Sequence, residues 1–179
     1  MHAEAMPIVD VLKLTQADSA IFPKGVPWIR YTGSLEEGLL DIDVVVPGKC
    51  PIFGVDNVGT VPLALATFAA IQALQPDLVI NAGTAGGFKI FDTYGIATTK
   101  CTAVPNMIAA LGFKGAAVVY VTNLLSVPAI LLKSVTDIVD GVRPTTEEFL
   151  ENLSTAAVAL LKTVVMALKF VHGKTVTEL

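Results

Sequence analysis

Hydrophobic and polar positions alternate with a period that changes several times along the chain. Met6, Ile8, Val9, Val11, Leu12 and Leu14 form the apolar side of a short amphipathic helix within residues 1–14, and Glu4 lies in its first turn. Phe22-Pro23-Lys24-Gly25-Val26-Pro27 is a turn-rich connector. Trp28–Gly33 then predicts a strand, Ser34–Gly38 a turn and Leu40–Val46 the returning strand, closed by Pro47-Gly48. Leu78-Val79-Ile80 is a short apolar run with β-branched members, preceded by Pro76-Asp77. That pattern predicts a strand buried on both faces, in the middle of a parallel sheet. Gly83, Gly86 and Gly87 follow, with Thr84 and Ala85 between them. They predict a loop, either a tight strand–loop crossover with no ligand or one whose glycines allow positive φ and turn its N–H groups toward a ligand.

Helical periods surround that strand. Leu63–Leu74 is an Ala-rich helix that ends before Pro76, and its small side chains let it lie close to a sheet. Pro105–Leu111 predicts a short helix, Gly115–Leu125 a second one, and Ala129-Ile130-Leu131-Leu132 another buried strand leading into Lys133–Asp137. Thr145 and Glu148 have capping-box spacing after Pro144. Phe149, Leu153, Ala156, Leu160, Val164 and Leu168 then recur at helical spacing, and His172-Gly173 ends that long covering helix. The alternation predicts a single α/β domain over residues 1–179. Its expected form is a three-layer sandwich, a central mixed β-sheet flanked by helices.

Composition changes this picture in two places. The chain is 53% hydrophobic and only 16% charged, which raises the question of a membrane. Gly115–Leu132 and Asn57–Pro76 are the uncharged stretches near spanning length. The first carries Thr122, Asn123, Ser126 and Pro128, the second Pro62, Gln72 and Gln75, and neither has a one-sided Lys/Arg flank, so no membrane partner is expected. The net charge of −4 argues against nucleic acid, since no basic stripe is available to neutralise phosphates. Cys50 and Cys101 stand apart without metal-ligand spacing and read as free thiols, with no metal or cofactor implied. No basic-then-apolar leader opens the sequence, and a cytoplasmic location is the expectation.

The candidate chemistry is sparse. Asp137, at the end of the second buried strand, suits either a turn or a reaction, and Asp140 nearby is of the same type. Longer blocks decide between these readings. Asp56 through Pro62, Ala66 through Leu74, Pro76 through Lys89, Gly115 through Val121 and Lys133 through Gly141 together resemble the plant-type 5′-methylthioadenosine nucleosidases of the purine nucleoside phosphorylase superfamily. The similarity continues through Pro144, Glu147, Glu148, Phe149 and Leu150, and Met1-His2-Ala3-Glu4-Ala5 resembles the segment that follows the family's first strand.

The chain departs from the family pattern in three places. It begins at Met1 where the family has an apolar strand. A strand and a substrate-facing loop are missing between Phe88-Lys89 and Phe91-Asp92. A larger piece is missing between Lys114 and Gly115, and Phe113-Lys114 stand where the family has Met-Glu.

The resemblance implies hydrolysis of the N-glycosidic bond of 5′-methylthioadenosine to adenine and 5-methylthioribose, in methionine salvage. It assigns Asp137 as the acid at the purine and Glu4 as the base that takes a proton from water. It places Thr84, Ala85 and Gly86 near the water and ribose, and Thr136 at the purine pocket. Phe113 would stand in for the apolar contact to the sugar. Lys114 only donates hydrogen bonds and cannot replace a carboxylate that accepts them from ribose hydroxyls. The expectations are therefore a nucleosidase with a shortened, slowed pocket, or a non-catalytic scaffold of binding or storage type. A family-like homodimer, weakened by the deletions, accompanies both.

Overall fold

The computed structural model describes residues 1–35, 38–87, 99–100 and 108–179, with side chains excluded at 99–100 and 108–114. Helix α1 (His2–Val11) is followed by strands β1 (Thr15–Ala17), β2 (Ile29–Leu35) and β3 (Leu40–Val46), then by helix α2 (Thr60–Leu74). Strand β4 (Val79–Gly87), strand β5 (Thr99–Lys100), helix α3 (Ile108–Leu124), strand β6 (Ala129–Ile138) and helix α4 (Thr145–Val171) complete the sequence of elements, with a 3-10 turn at Val176–Glu178. The α/β class stands, but among the described residues the strands form two sheets of three. One is antiparallel in the order β1-β2-β3; the other is mixed in the order β4-β6-β5, with β4 and β6 parallel.

Helices cover both faces of the mixed sheet. Leu131 and Leu132 are neighbours in β6, so their side chains point to opposite faces, yet they are only 1% and 2% exposed. On the Leu132 face lie Ile8 of α1 and Leu160, Val164 and Leu168 of α4, with Ile80, Ala82 and Ile130 packed against them. Each such leucine stabilises the fold by roughly 1.5–3 kcal/mol relative to an exposed one. Helix α3 packs on β4, β6 and α2. A second apolar cluster joins Val9 and Leu14 to Tyr31 and Val46, holding α1 against the antiparallel sheet.

Four expectations need correction. Strand β4 is not in the middle of a sheet: among the described residues it pairs with β6 alone, and β6 takes the central place. The glycine run is not a loop, because pairing with β6 carries strand geometry on through Gly87 to Ile138. Its glycines are needed for clearance, since a Cβ on Gly86 would fall 2.7 Å from a Val139 methyl and one on Gly87 would fall 2.9 Å from a Val135 methyl.

Helix α3 is continuous through Lys114-Gly115, where a break between two helices was expected. Ala, Leu and Val on either side favour helix or tolerate it, and each of Gly112 and Gly115 costs only about 1 kcal/mol. Finally, Thr145 does not cap α4. Pro144 is the N-cap, and the Glu148 carboxylate instead accepts the Ile138 N–H at 2.9 Å, which ties the start of α4 to the end of β6. Among the described residues, α4 is the helix long and apolar enough to cross a membrane, although neither of the two stretches singled out from the sequence lies in it.

Candidate active site

Glu4 is a carboxylate only 4% exposed on the first turn of α1. Thr84 of β4 donates to the same oxygen, Glu4 Oε1, twice: from its backbone N–H at 2.7 Å and from its hydroxyl at 2.6 Å. The Met1 ammonium donates to the other oxygen. Burial pushes the Glu4 carboxyl upward and is the largest influence, but the Met1 ammonium and the two Thr84 donors outweigh it. The carboxyl is therefore held below its ordinary value of 4.5, as a buried anion whose acceptor sites are largely filled.

Lys133 of β6 reaches the same corner. A Cβ on Gly83 would lie 3.5 Å from Lys133 Nζ and 3.6 Å from Glu4 Oε1, ordinary contact distances, so both side chains border this glycine. Lys133 donates to the side-chain oxygen of Asn81. Sequence reasoning missed both residues. The available signal was a charged lysine set directly after the apolar run Ala129–Leu132 in a buried strand.

Asp137 is aimed by an irregularity. The β4–β6 register matches Ala85 with Val135 but Gly86 with Asp137, so Thr136 is the extra residue of a bulge. The Thr136 hydroxyl donates to Asp137 Oδ1 at 2.7 Å, and the Thr136 carbonyl accepts from Asn152 of α4 at 2.9 Å. Thr136 is 2% exposed, so it holds Asp137 from beneath. The other carboxylate oxygen lies against β4, where a Cβ on Gly86 would come within 3.0 Å of it.

Thr84 and Gly86 are two residues apart on one strand and so share a face, about 7 Å apart along it. Glu4 is anchored at the first and Asp137 at the second, which brings the two carboxylates predicted from sequence to one strand end. Ala85 contributes its carbonyl beside the Thr136 hydroxyl, at 3.4 Å. Phe113 lies on α3, with its side chain outside the described residues. Asp140 is exposed in the turn after β6 and is not part of the cluster. Among the described residues no group of three His, Cys, Asp or Glu side chains is placed to hold a metal ion. Cys50 is a free thiol away from the site, and Cys101 lies outside the described residues.

A buried anion with a second carboxylate one strand-repeat away can take a proton from water on one side of a bond and give one on the other. Comparison with known proteins gives the family. The chain is 36% identical to a 5′-methylthioadenosine nucleosidase of Arabidopsis thaliana, over all of this chain and 87% of the relative. The alignment runs over 235 positions, so the relative has residues without counterparts here. The structure of Arabidopsis thaliana 5′-methylthioadenosine nucleosidase in apo form superposes with a TM-score of 0.84 at 35% identity, covering 100% of this chain and 96% of that one. The fold also matches a Neisseria meningitidis 5′-methylthioadenosine/S-adenosylhomocysteine nucleosidase in complex with methylthio-immucillin-A. That match has a TM-score of 0.63 at 16% identity, covering 92% of this chain and 93% of that one. No family model matches the chain.

Proposed function

This chain belongs to the 5′-methylthioadenosine nucleosidase family, and from that premise we propose that it hydrolyses the N-glycosidic bond of 5′-methylthioadenosine with Glu4 and Asp137 as its working carboxylates. The observation that carries the proposal is the double donation from Thr84 to Glu4 on the same strand end that receives Asp137. In the reaction the bond between the anomeric carbon and the purine nitrogen breaks and a water oxygen bonds to that carbon. Glu4 accepts the proton released by the water. Asp137 donates a proton to the purine, so adenine leaves neutral. The ribose carries positive charge at the transition state, which the Glu4 anion opposes with charge of the right sign. Lys133, near Glu4, is suited to orienting the water oxygen.

Thr84, Ala85 and Gly86 supply the strand end against which ribose and water sit, Thr136 supports Asp137, and Phe113 is the apolar contact for the sugar. The substrate is a small nucleoside, with no cofactor. A net charge of −4 supports a protein that does not bind nucleic acid, and the packing of the buried face of α4 onto β6 supports a helix used in the fold rather than in a bilayer. A cytoplasmic setting, a place in methionine salvage and a family-like homodimer belong to the same proposal.

The test is release of adenine from 5′-methylthioadenosine by the purified chain, followed with a coupled assay. Expected are turnover by the chain and a loss of about 100-fold or more in each of Glu4→Gln and Asp137→Asn. A folded chain that releases no adenine would overturn the proposal in favour of a scaffold without catalysis. The alignment spans 235 positions against the 179 residues of this chain, and if the relatives' extra residues serve the substrate pocket the wild-type rate is expected below that of a full-length relative.

A further inference from the structure

Asp137 stands between two peptide planes, and α4 holds both. Glu148 accepts the Ile138 N–H at 2.9 Å, and Asn152 donates a side-chain N–H to the Thr136 carbonyl at 2.9 Å. The Thr136 carbonyl belongs to the plane before the Asp137 Cα, the Ile138 N–H to the plane after it. A residue has only two soft backbone dihedrals, φ and ψ, each set by the orientation of one flanking plane. Two bonds from α4 therefore fix the direction in which the Asp137 side chain leaves the strand.

Matching repeats make this grip possible. Glu148 and Asn152 are four residues apart and share one face of α4, about 6 Å apart along its axis. Thr136 and Ile138 are two apart on β6, about 7 Å along the strand, and turn their backbone groups to the same edge. The Val139 N–H turns to the opposite edge, where the Gly87 carbonyl of β4 accepts it at 2.7 Å. The bulge at Thr136 interrupts the β4–β6 ladder beside Asp137, so strand pairing alone leaves this stretch loosely defined. Thr136 is buried, and its carbonyl finds in Asn152 the partner that water cannot supply. Asn152 is exposed and Glu148 half-buried. Neither belongs to the apolar cluster of Leu160, Val164 and Leu168 that seats α4, so truncating either leaves that packing in place.

We propose that Glu148 and Asn152 are positioning residues that aim Asp137 at the leaving purine, a role that rests on the reading of Asp137 as the acid of nucleoside hydrolysis. Both act through the backbone of Asp137. The Thr136 hydroxyl, donating to Oδ1 at 2.7 Å, sets the rotation of the carboxylate, and the two α4 side chains set the strand from which it projects. Proton transfer to the purine needs the carboxyl within hydrogen-bond reach and in line, and a turn of either plane moves it off that line. Neither positioning residue supplies a proton. Glu148 serves through an oxygen that accepts, so glutamine can replace it; Asn152 serves through an N–H that donates; alanine can replace neither.

The test compares two substrates on the full chain. 5′-Methylthioadenosine needs its leaving purine protonated, whereas the 5-methylthioriboside of 4-nitrophenol releases a stable phenolate without an acid. In Glu148→Ala and in Asn152→Ala, kcat for adenine release should fall by about tenfold or more with KM within about twofold of the wild type. Release of 4-nitrophenolate should stay within about twofold of the wild type in both variants. Glu148→Gln should recover most of the lost adenine rate. The phenolate reaction also reports an intact fold and a working Glu4 in the same protein, so a misfolded variant cannot pass for a mispositioned acid. Equal losses on both substrates, or wild-type adenine release in both alanine variants, would overturn the inference and leave the proposed hydrolysis standing. A wild-type chain that releases no adenine would overturn that hydrolysis, and this inference with it.

Discussion

Thr84 gives both of its donors to a single oxygen of Glu4, at 2.7 and 2.6 Å, from a position 80 residues further along the chain. A hydrogen bond to a charged group contributes about 1.5–3 kcal/mol, and losing one leaves a buried anion short of a partner. Thr84→Val is therefore expected to lower the melting temperature by roughly 3–12 °C, at about 2–4 °C per kcal/mol for a chain of this size. Thr84→Ser keeps the hydroxyl and should recover most of the loss. Thermal melts of the three proteins side by side decide the point.

The same pair sets a dependence on pH. The Glu4 carboxyl is held below its unfolded value, so its contribution to stability is complete above about pH 4.5 and is lost as pH falls through the lower folded value. Against Glu4→Gln, whose amide does not titrate, the wild-type chain should lose ground on acidification below 4.5. Urea unfolding of both proteins across that range measures it. A difference in stability that stays constant with pH would mean that Glu4 is not held as an anion in the folded state.

Two glycines separate crowding from mere occupancy. An added Cβ at Gly86 would meet Val139 at 2.7 Å and the Asp137 carboxylate at 3.0 Å, while one at Gly83 has nothing nearer than 3.5 Å. Gly86→Ala should swing Asp137 away and cut adenine release by about 100-fold, the scale expected for a displacement near 1 Å. Gly83→Ala should retain the melting temperature of the wild type. Comparable activity in the Gly86 variant would show that Asp137 need not lie against β4.

Ile52 and Phe53 are 81% and 76% exposed, and Val61, Leu65 and Phe68 are exposed along one side of α2. Exposed apolar side chains grouped in this way commonly mark an interface. If it is the homodimer contact, Phe53→Ser with Leu65→Lys should convert a dimer to a monomer in sedimentation experiments, without touching the carboxylates. A wild-type monomer at micromolar concentration would assign the patch to something else.

Short-range pattern was legible where local chemistry decides the outcome. Leu40–Val46 is a strand with the bounds expected, and Pro76 ends α2 as its position demanded. What the sequence hid depends on residues distant in the chain. The glycines after Asn81 look like a loop until β6 is there to pair with them. Glu148 has the spacing of a cap, but its carboxylate is taken by the Ile138 N–H. Glu4 and Asp137 were identified by resemblance, and the Thr84 hydroxyl, the Thr136 bulge and Lys133 that hold or accompany them became visible only through the fold. A local pattern carries no information about a contact 80 residues away.

The parallel pairing of β4 with β6 also sets the order in which the molecule assembles. Val79 meets Ala129 and Gly86 meets Asp137, so each such contact closes a loop of about fifty residues before it gains anything. The β2–β3 hairpin, joined by a few residues, forms on the scale of about 1–10 μs. Both carboxylates depend on the slower, non-local pairing: Asp137 belongs to it, and Glu4 binds the strand it completes. In refolding from denaturant, antiparallel sheet should therefore return first and adenine release last. An unfinished chain still emerging from the ribosome carries Glu4 and the whole glycine run, but has no site until β6 has been made.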